Sequence, residues 1–235
     1  MADPACEPDV DRFETHPPAN PMSVELTVLH RRVWWQPDDE LQPEAWEVTA
    51  DVSALDVCPP GVRHVAELSV TVADLRRGRV PLDAVLLGAW APGFLAAAAA
   101  GDGGALPPDL EEWVSDGPPR VVVVRRYELM PVWRGHGLGP VLLAGALAAF
   151  LPVARLAAFR VTGLEATPPG PPGVTGLGRV ARERVAERLQ ARRTAVLERL
   201  GFRPWDGVHV ADVRAAELAD ARHGALDAWQ RLDWR

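Results

Sequence analysis

The stretch RVVVVRRYELMPVWRGHGLGPVLLAGALAAFL, residues 120–151, decides how this chain is read. It carries Val121, Val122, Val123 and Val124 in a row, and an unbroken β-branched run suits a central strand buried on both faces. Pro131 ends that strand, and Pro140 sits well as the first residue of a helix through VLLAGALAAFL that lasts until Pro152. Between them lies RGHGLG, residues 134–139. A strand, a glycine-rich turn and an apolar helix in succession leave the first helical N–H groups without acceptors, free to grip an anion. Gly135, Gly137 and Gly139 let the backbone come close to a phosphate, and Arg134 adds a guanidinium at the rim. A structural strand-to-helix turn is the alternative reading.

Toward the N-terminus, alternating apolar residues predict strands within 24–35, 46–55 and 64–72, the last with Ala66, Leu68, Val70 and Val72 on one face. Residues 1–21 are acidic and proline-rich, lack the pattern of a signal peptide, and are expected to be disordered. Met22, directly before VELTVL, is an alternative start to Met1 as a hypothesis that intact-mass measurement on the native protein would settle. Pro81 opens an expected helix through Leu87 with a second piece past Pro92, and 101–119 reads as a surface loop with a helical turn at Asp109 to Val114. Toward the C-terminus come a strand in 155–166, the proline-glycine loop TPPGPPGVTG, a long arginine-studded helix over about 177–200, a strand over 201–213, and a terminal helix weakened by Gly224.

Composition excludes several functions. The net charge is −7 and the 25 basic residues are all arginine, with no basic run against the acidic background, so nucleic acid is not expected as a partner. Without lysine, neither a Walker P-loop nor Schiff-base chemistry can be built. Cys6 and Cys58 have no disulfide or metal-site spacing and the histidines are scattered, so no metal and a reducing, cytoplasmic setting are expected. The longest apolar stretches, 84–100 and 141–151, are interrupted or too short to span a bilayer, so no membrane association is expected. The dinucleotide fingerprint GxGxxG fails where Pro140 takes the final glycine position, which leaves a nucleotide-binding oxidoreductase a minor reading.

Arg134, Gly137 and Gly139, after a strand ending in ELMPVW, resemble the R/Q-x-x-G-x-G/A signature of the GNAT superfamily of acyl-CoA N-acyltransferases. A second landmark of that family, a helix closing in a leucine-glycine-phenylalanine turn, is matched by Leu200, Gly201 and Phe202. The resemblance covers roughly 120–213, and 22–119 is a divergent N-terminal half in which the helices expected after the first strand are not evident. It implies one acyltransferase domain over 22–235, an α/β fold with a mixed, mostly antiparallel sheet flanked by helices, and residues 214–235 as a closing helix.

The resemblance further implies transfer of an acetyl or other short acyl group from coenzyme A to an amine, carried by a small molecule or a peptide; a homodimer is left open. Gly135, His136, Gly137, Leu138 and Gly139 would give main-chain donors to the pyrophosphate beside Arg134, and pantetheine would lie along Leu129, Met130 and Val132 like an added strand. The amide of Leu129 would then serve the oxyanion. Many relatives place a tyrosine, as acid for the thiolate, where this chain has Val196 and Leu197. Tyr127, the only tyrosine, is the candidate substitute, and Glu128 is the nearest carboxylate. An ordinary strand aromatic and an ion-paired carboxylate are the alternatives, and neighbours on a strand point to opposite faces. The missing tyrosine prompts a second reading, a non-catalytic domain that binds coenzyme A as a sensor or partner-binding module.

Overall fold

The computed structural model describes residues 17–30, 32, 34, 42–59, 61–77, 89–99, 102–161 and 179–230. Seven strands form one sheet: β1 (Val24–His30), β2 (Glu44–Val52), β3 (His64–Asp74), β4 (Arg120–Leu129), β5 (Leu156–Phe159), β6 (Arg203–Trp205) and β7 (Val208–Asp212). Their order is β1-β2-β3-β4-β5-β7-β6, and every neighbouring pair is antiparallel except β4 and β5. The helices are α1 (Ala91–Ala98), α2 (Pro108–Glu111), α3 (Leu138–Ala148), α4 (Arg179–Arg199) and α5 (Ala216–Trp229). The mixed, mostly antiparallel sheet flanked by helices is therefore present as expected.

β4 is the central strand, and its valines serve two cores. Val122 and Val124 pack with Leu143, Leu147 and Phe150 at α3, while Val121 and Val123 pack with Phe94 and Leu95 of α1 and with Leu110. Each side chain removed from water in this way contributes about 1.5–3 kcal/mol, which is why no polar residue interrupts the run.

Helix α4 ends in a Schellman cap. The N–H of Phe202 donates to the Leu197 carbonyl at 3.0 Å and that of Gly201 to the Glu198 carbonyl at 3.0 Å, with Gly201 at φ 83°. Phe202 and Leu197 meet in the α3-side core, so the leucine-glycine-phenylalanine sequence has a complete local explanation.

Several expectations need correction. The segment 201–213 is a hairpin: Asp206 and Gly207, at φ 45° and 74°, form the two-residue turn between β6 and β7 that twisted strands favour. β5 ends at Phe159, and 162–178 lie outside the described residues, as does the helix expected over 81–87. Helix α3 begins at Leu138, which places Gly139 and Pro140 inside its first turn. The 101–119 loop is tied inward: Leu106, Leu110 and Val114 are buried, and the buried Arg155 guanidinium bonds Glu111 at 2.7 Å and the Ser115 carbonyl at 3.2 Å. Within the segment expected to be disordered, Asn20 accepts from the Met22 N–H at 2.9 Å and Pro21 is buried; residues 1–16 lie outside the described residues.

Candidate functional site

The site is built where β4 runs out. Val70 pairs with Val124 and Ser69 with Arg126, so Arg125 is an extra residue in β4 and makes a β-bulge. The bulge resets the alternation of the strand. Tyr127 and Leu129 follow Val122 and Val124 on the α3 face, opposite Leu68 and Ala66, while Arg126 and Glu128 take the other face.

At the same level the sheet forks. The parallel pairing of β4 with β5 stops at Val124 and Phe159, yet β4 continues to Leu129 against β3 alone. Met130 N–H donates to the Val65 carbonyl at 2.9 Å, and the two-residue repeat of an antiparallel ladder then turns the N–H and C=O of Tyr127 and Leu129 away from β3. Among the described residues no strand takes up that edge.

The chain next makes a short turn, Pro131–Trp133, whose base is fixed. Trp133 is wholly buried and its indole N–H donates to the Val62 carbonyl at 2.8 Å. Gly135 at φ 91° and Gly137 at φ 76° then turn the chain into α3, conformations that cost an L side chain about 1–2 kcal/mol. Among the described residues no side chain caps α3 and the amides of Gly135, His136 and Gly137 meet no acceptor, and no acidic residue lies in the first turn of α3. Gly139 is different: its φ is not positive, and a methyl there would meet only the Tyr127 hydroxyl, at 3.9 Å. The fold itself gives no reason for a glycine at 139.

The chain matches no family model, no curated protein and no solved structure.

The expected site residues therefore stand together as backbone. Leu129, Met130, Val132, Arg134, Gly135, His136, Gly137, Leu138 and Gly139 form one continuous turn from the strand edge to the uncapped helix, with Arg134, Gly135 and Gly137 exposed and Leu138 buried. Arg134 does not lie at the rim as expected. It folds back over the strand end, its Nε donating to the Leu129 carbonyl at 2.8 Å, with a terminal nitrogen 3.8 Å from Glu128.

The two candidate catalytic side chains are both engaged. Tyr127 donates its hydroxyl proton to the Gly139 carbonyl at 2.6 Å, and burial pushes its pKa up. Glu128, on the opposite face, accepts from the Arg126 guanidinium.

Sequence reading missed the surroundings of Glu128. Glu67 is its direct cross-strand partner, and a second bulge, at Val65, brings His64 to the same face, with Nδ1 2.8 Å from Asp51 and Nε2 3.2 Å from Glu67. The Asp51 hydrogen bond, opposed in part by burial, raises the His64 pKa. Two other carboxylates, those of Asp109 and Glu111, are occupied: Asp109 accepts from the Trp205 indole at 2.6 Å and Glu111 holds Arg155. Trp34 is fully exposed, and Trp35 lies outside the described residues. Helix α4 presents mainly exposed charge over residues 183–195. Among the described residues no three His, Cys, Asp or Glu side chains gather as a metal site, and no helix is long and apolar enough to cross a membrane.

Proposed function

We propose that the protein is an acyl-CoA-dependent N-acyltransferase of the GNAT kind, working in a reducing, cytoplasmic setting. One observation carries the reading: a single turn of chain offers both a strand edge at Tyr127 and Leu129 that no strand takes up among the described residues, its one partner there being the Arg134 guanidinium on the Leu129 carbonyl, and an uncapped glycine-rich helix start, from Gly135 to Gly139. Coenzyme A has the complementary parts in the same order. Its pantetheine arm carries amides that can pair with a free strand edge, and its pyrophosphate suits unpaired N–H groups at the positive end of a helix.

Gly139 supports the same reading from another direction, because a position that could carry alanine without strain remains bare where the cofactor would pass closest. The chemistry follows from the backbone. With the arm on the open edge of β4, the N–H of Leu129 points toward the thioester carbonyl and stabilises the oxyanion formed as the amine attacks. The carboxylates of Asp51, Glu67 and Glu128 on the neighbouring face favour a protonated amine as acceptor; the amine gives up one proton to water before attack and a second as the amide forms, while the C–S bond breaks and coenzyme A leaves as a thiolate that takes a proton from water.

The sensor reading is favoured by one specific finding, that the Tyr127 hydroxyl and the Glu128 carboxylate are both already engaged. Turnover separates the two readings. Isothermal titration with acetyl-CoA, with NAD and ATP as controls, is the first test. Micromolar binding of acetyl-CoA alone, lost in Gly137→Trp, supports coenzyme A binding, and its absence refutes both readings. Release of free thiol from acetyl-CoA over a panel of amines, lost in Arg134→Ala, then supports the enzyme over the sensor.

A further inference from the structure

We infer that Tyr127 is a positioning residue that sets the distance between the open edge of β4 and the start of α3, and so the spacing of the two halves of the cofactor cradle. The inference rests on the acyl-CoA reading and deepens it.

The argument starts from the bulge. If β4 ran on through Arg125 in regular alternation, the side chain of Tyr127 would fall on the face that now carries Arg126, away from α3; with Arg125 taken up in the bulge, the ring enters the α3-side core opposite Leu68, between the cluster of Leu143 and Leu147 and that of Trp133, Leu138 and Leu142. From there the hydroxyl reaches the Gly139 carbonyl at 2.6 Å. A carbonyl in the first turn of a helix already serves the N–H four residues on, so the phenol takes its second lone pair. The bond bridges twelve residues of chain, from the strand edge that would hold the pantetheine arm to the turn that would hold the pyrophosphate.

The same geometry argues against an acid role. The proton is already donated to a carbonyl, and handing it to a thiolate would leave a phenolate facing that carbonyl in a half-buried site. The group therefore keeps its proton and acts through the backbone it holds.

The experiment compares Tyr127→Phe with Leu95→Ala, a buried α1 residue on the opposite face of the sheet whose loss loosens packing without touching the bond. Loss of one hydrogen bond of this type is expected to raise the acetyl-CoA Kd by about two- to tenfold in Tyr127→Phe, measured by titration well below the unfolding midpoint. Leu95→Ala is expected to lower the unfolding midpoint more, yet leave Kd within twofold. In turnover the Tyr127→Phe effect falls on KM rather than on kcat or its alkaline limb. An unchanged Kd in Tyr127→Phe, an equal rise in Leu95→Ala, or a collapse of kcat at unchanged Kd each overturns the inference while leaving the acyl-CoA reading in place. Failure of the unaltered protein to bind acetyl-CoA overturns both.

Discussion

Alanine at position 139 is expected to leave the fold as stable or more so while weakening acetyl-CoA binding. Gly139 lies in the first turn of α3 without a positive φ, and the added methyl meets nothing nearer than the Tyr127 hydroxyl at 3.9 Å. Helix propensity then favours alanine by up to about 1 kcal/mol, less near the end of a helix than in its middle. For a chain of this size that corresponds to a rise of about 0–4 °C in the unfolding midpoint. Gly137 is the internal contrast. At φ 76° an alanine is strained by about 1–2 kcal/mol with no clash to add, so its midpoint falls by about 2–8 °C. On the acyl-CoA reading both methyls would stand in the way of the pyrophosphate, and each is expected to raise the acetyl-CoA Kd at least tenfold. Urea unfolding and isothermal titration on the two variants and the parent suffice. If Gly139→Ala binds acetyl-CoA as the parent does, the cradle does not use close backbone approach at that position. If it instead unfolds more easily by more than about 1 kcal/mol, the described helix start is wrong.

Gly201→Ala should lose about 1–2 kcal/mol in urea unfolding, because φ is 83° and the methyl would press on Glu217 at 3.3 Å; no loss would mean that α4 does not end in this cap. Phe150→Ala removes a fully buried ring of the α3-side core and is expected to cost about 3–5 kcal/mol by the same measurement. His209 has a buried Nδ1 without a partner among the described residues, and burial, partly offset by Glu198, lowers its pKa. The folded pKa thus lies below the unfolded one, so stability is intact above about pH 6.5 and is lost as pH falls through that value toward the folded pKa. His209→Gln should flatten the decline in urea midpoint between about pH 7 and 5, and an unchanged slope would show that this imidazole is not buried neutral.

How much could be read from the sequence depended on the range of the interaction. The buried central strand, the glycine-rich turn before α3 and the turn after α4 were legible because each is written within a few residues: four valines, alternate glycines, and a glycine before an apolar residue that closes a Schellman cap. The β6–β7 turn was equally local, and the Asp206-Gly207 pair was its signal, overlooked in favour of one longer strand. The bulge at Arg125 was not legible. It sits between Val124 and Arg126, after a run of four valines that shows no alternation to break, and only the pairing with Ser69 and Val70 reveals the extra residue. What the candidate site depends on came with it, including the side on which Tyr127 lies and its bond to Gly139. The inward anchoring of 101–119 was hidden for a similar reason, since Ser115 is held by Asp212, 97 residues away in sequence.

The parallel seam between β4 and β5 has a mechanical consequence. Four register pairs, from Val121 with Leu156 to Val124 with Phe159, join a panel of four strands to a panel of three. Beyond them, among the described residues, the two panels part at the end where the glycine-rich turn lies, while their shared cores hold them together behind the fork. A ligand seated in that fork would touch both panels, so slower amide exchange in β5 and β7 as well as β4 is the expected sign of its binding.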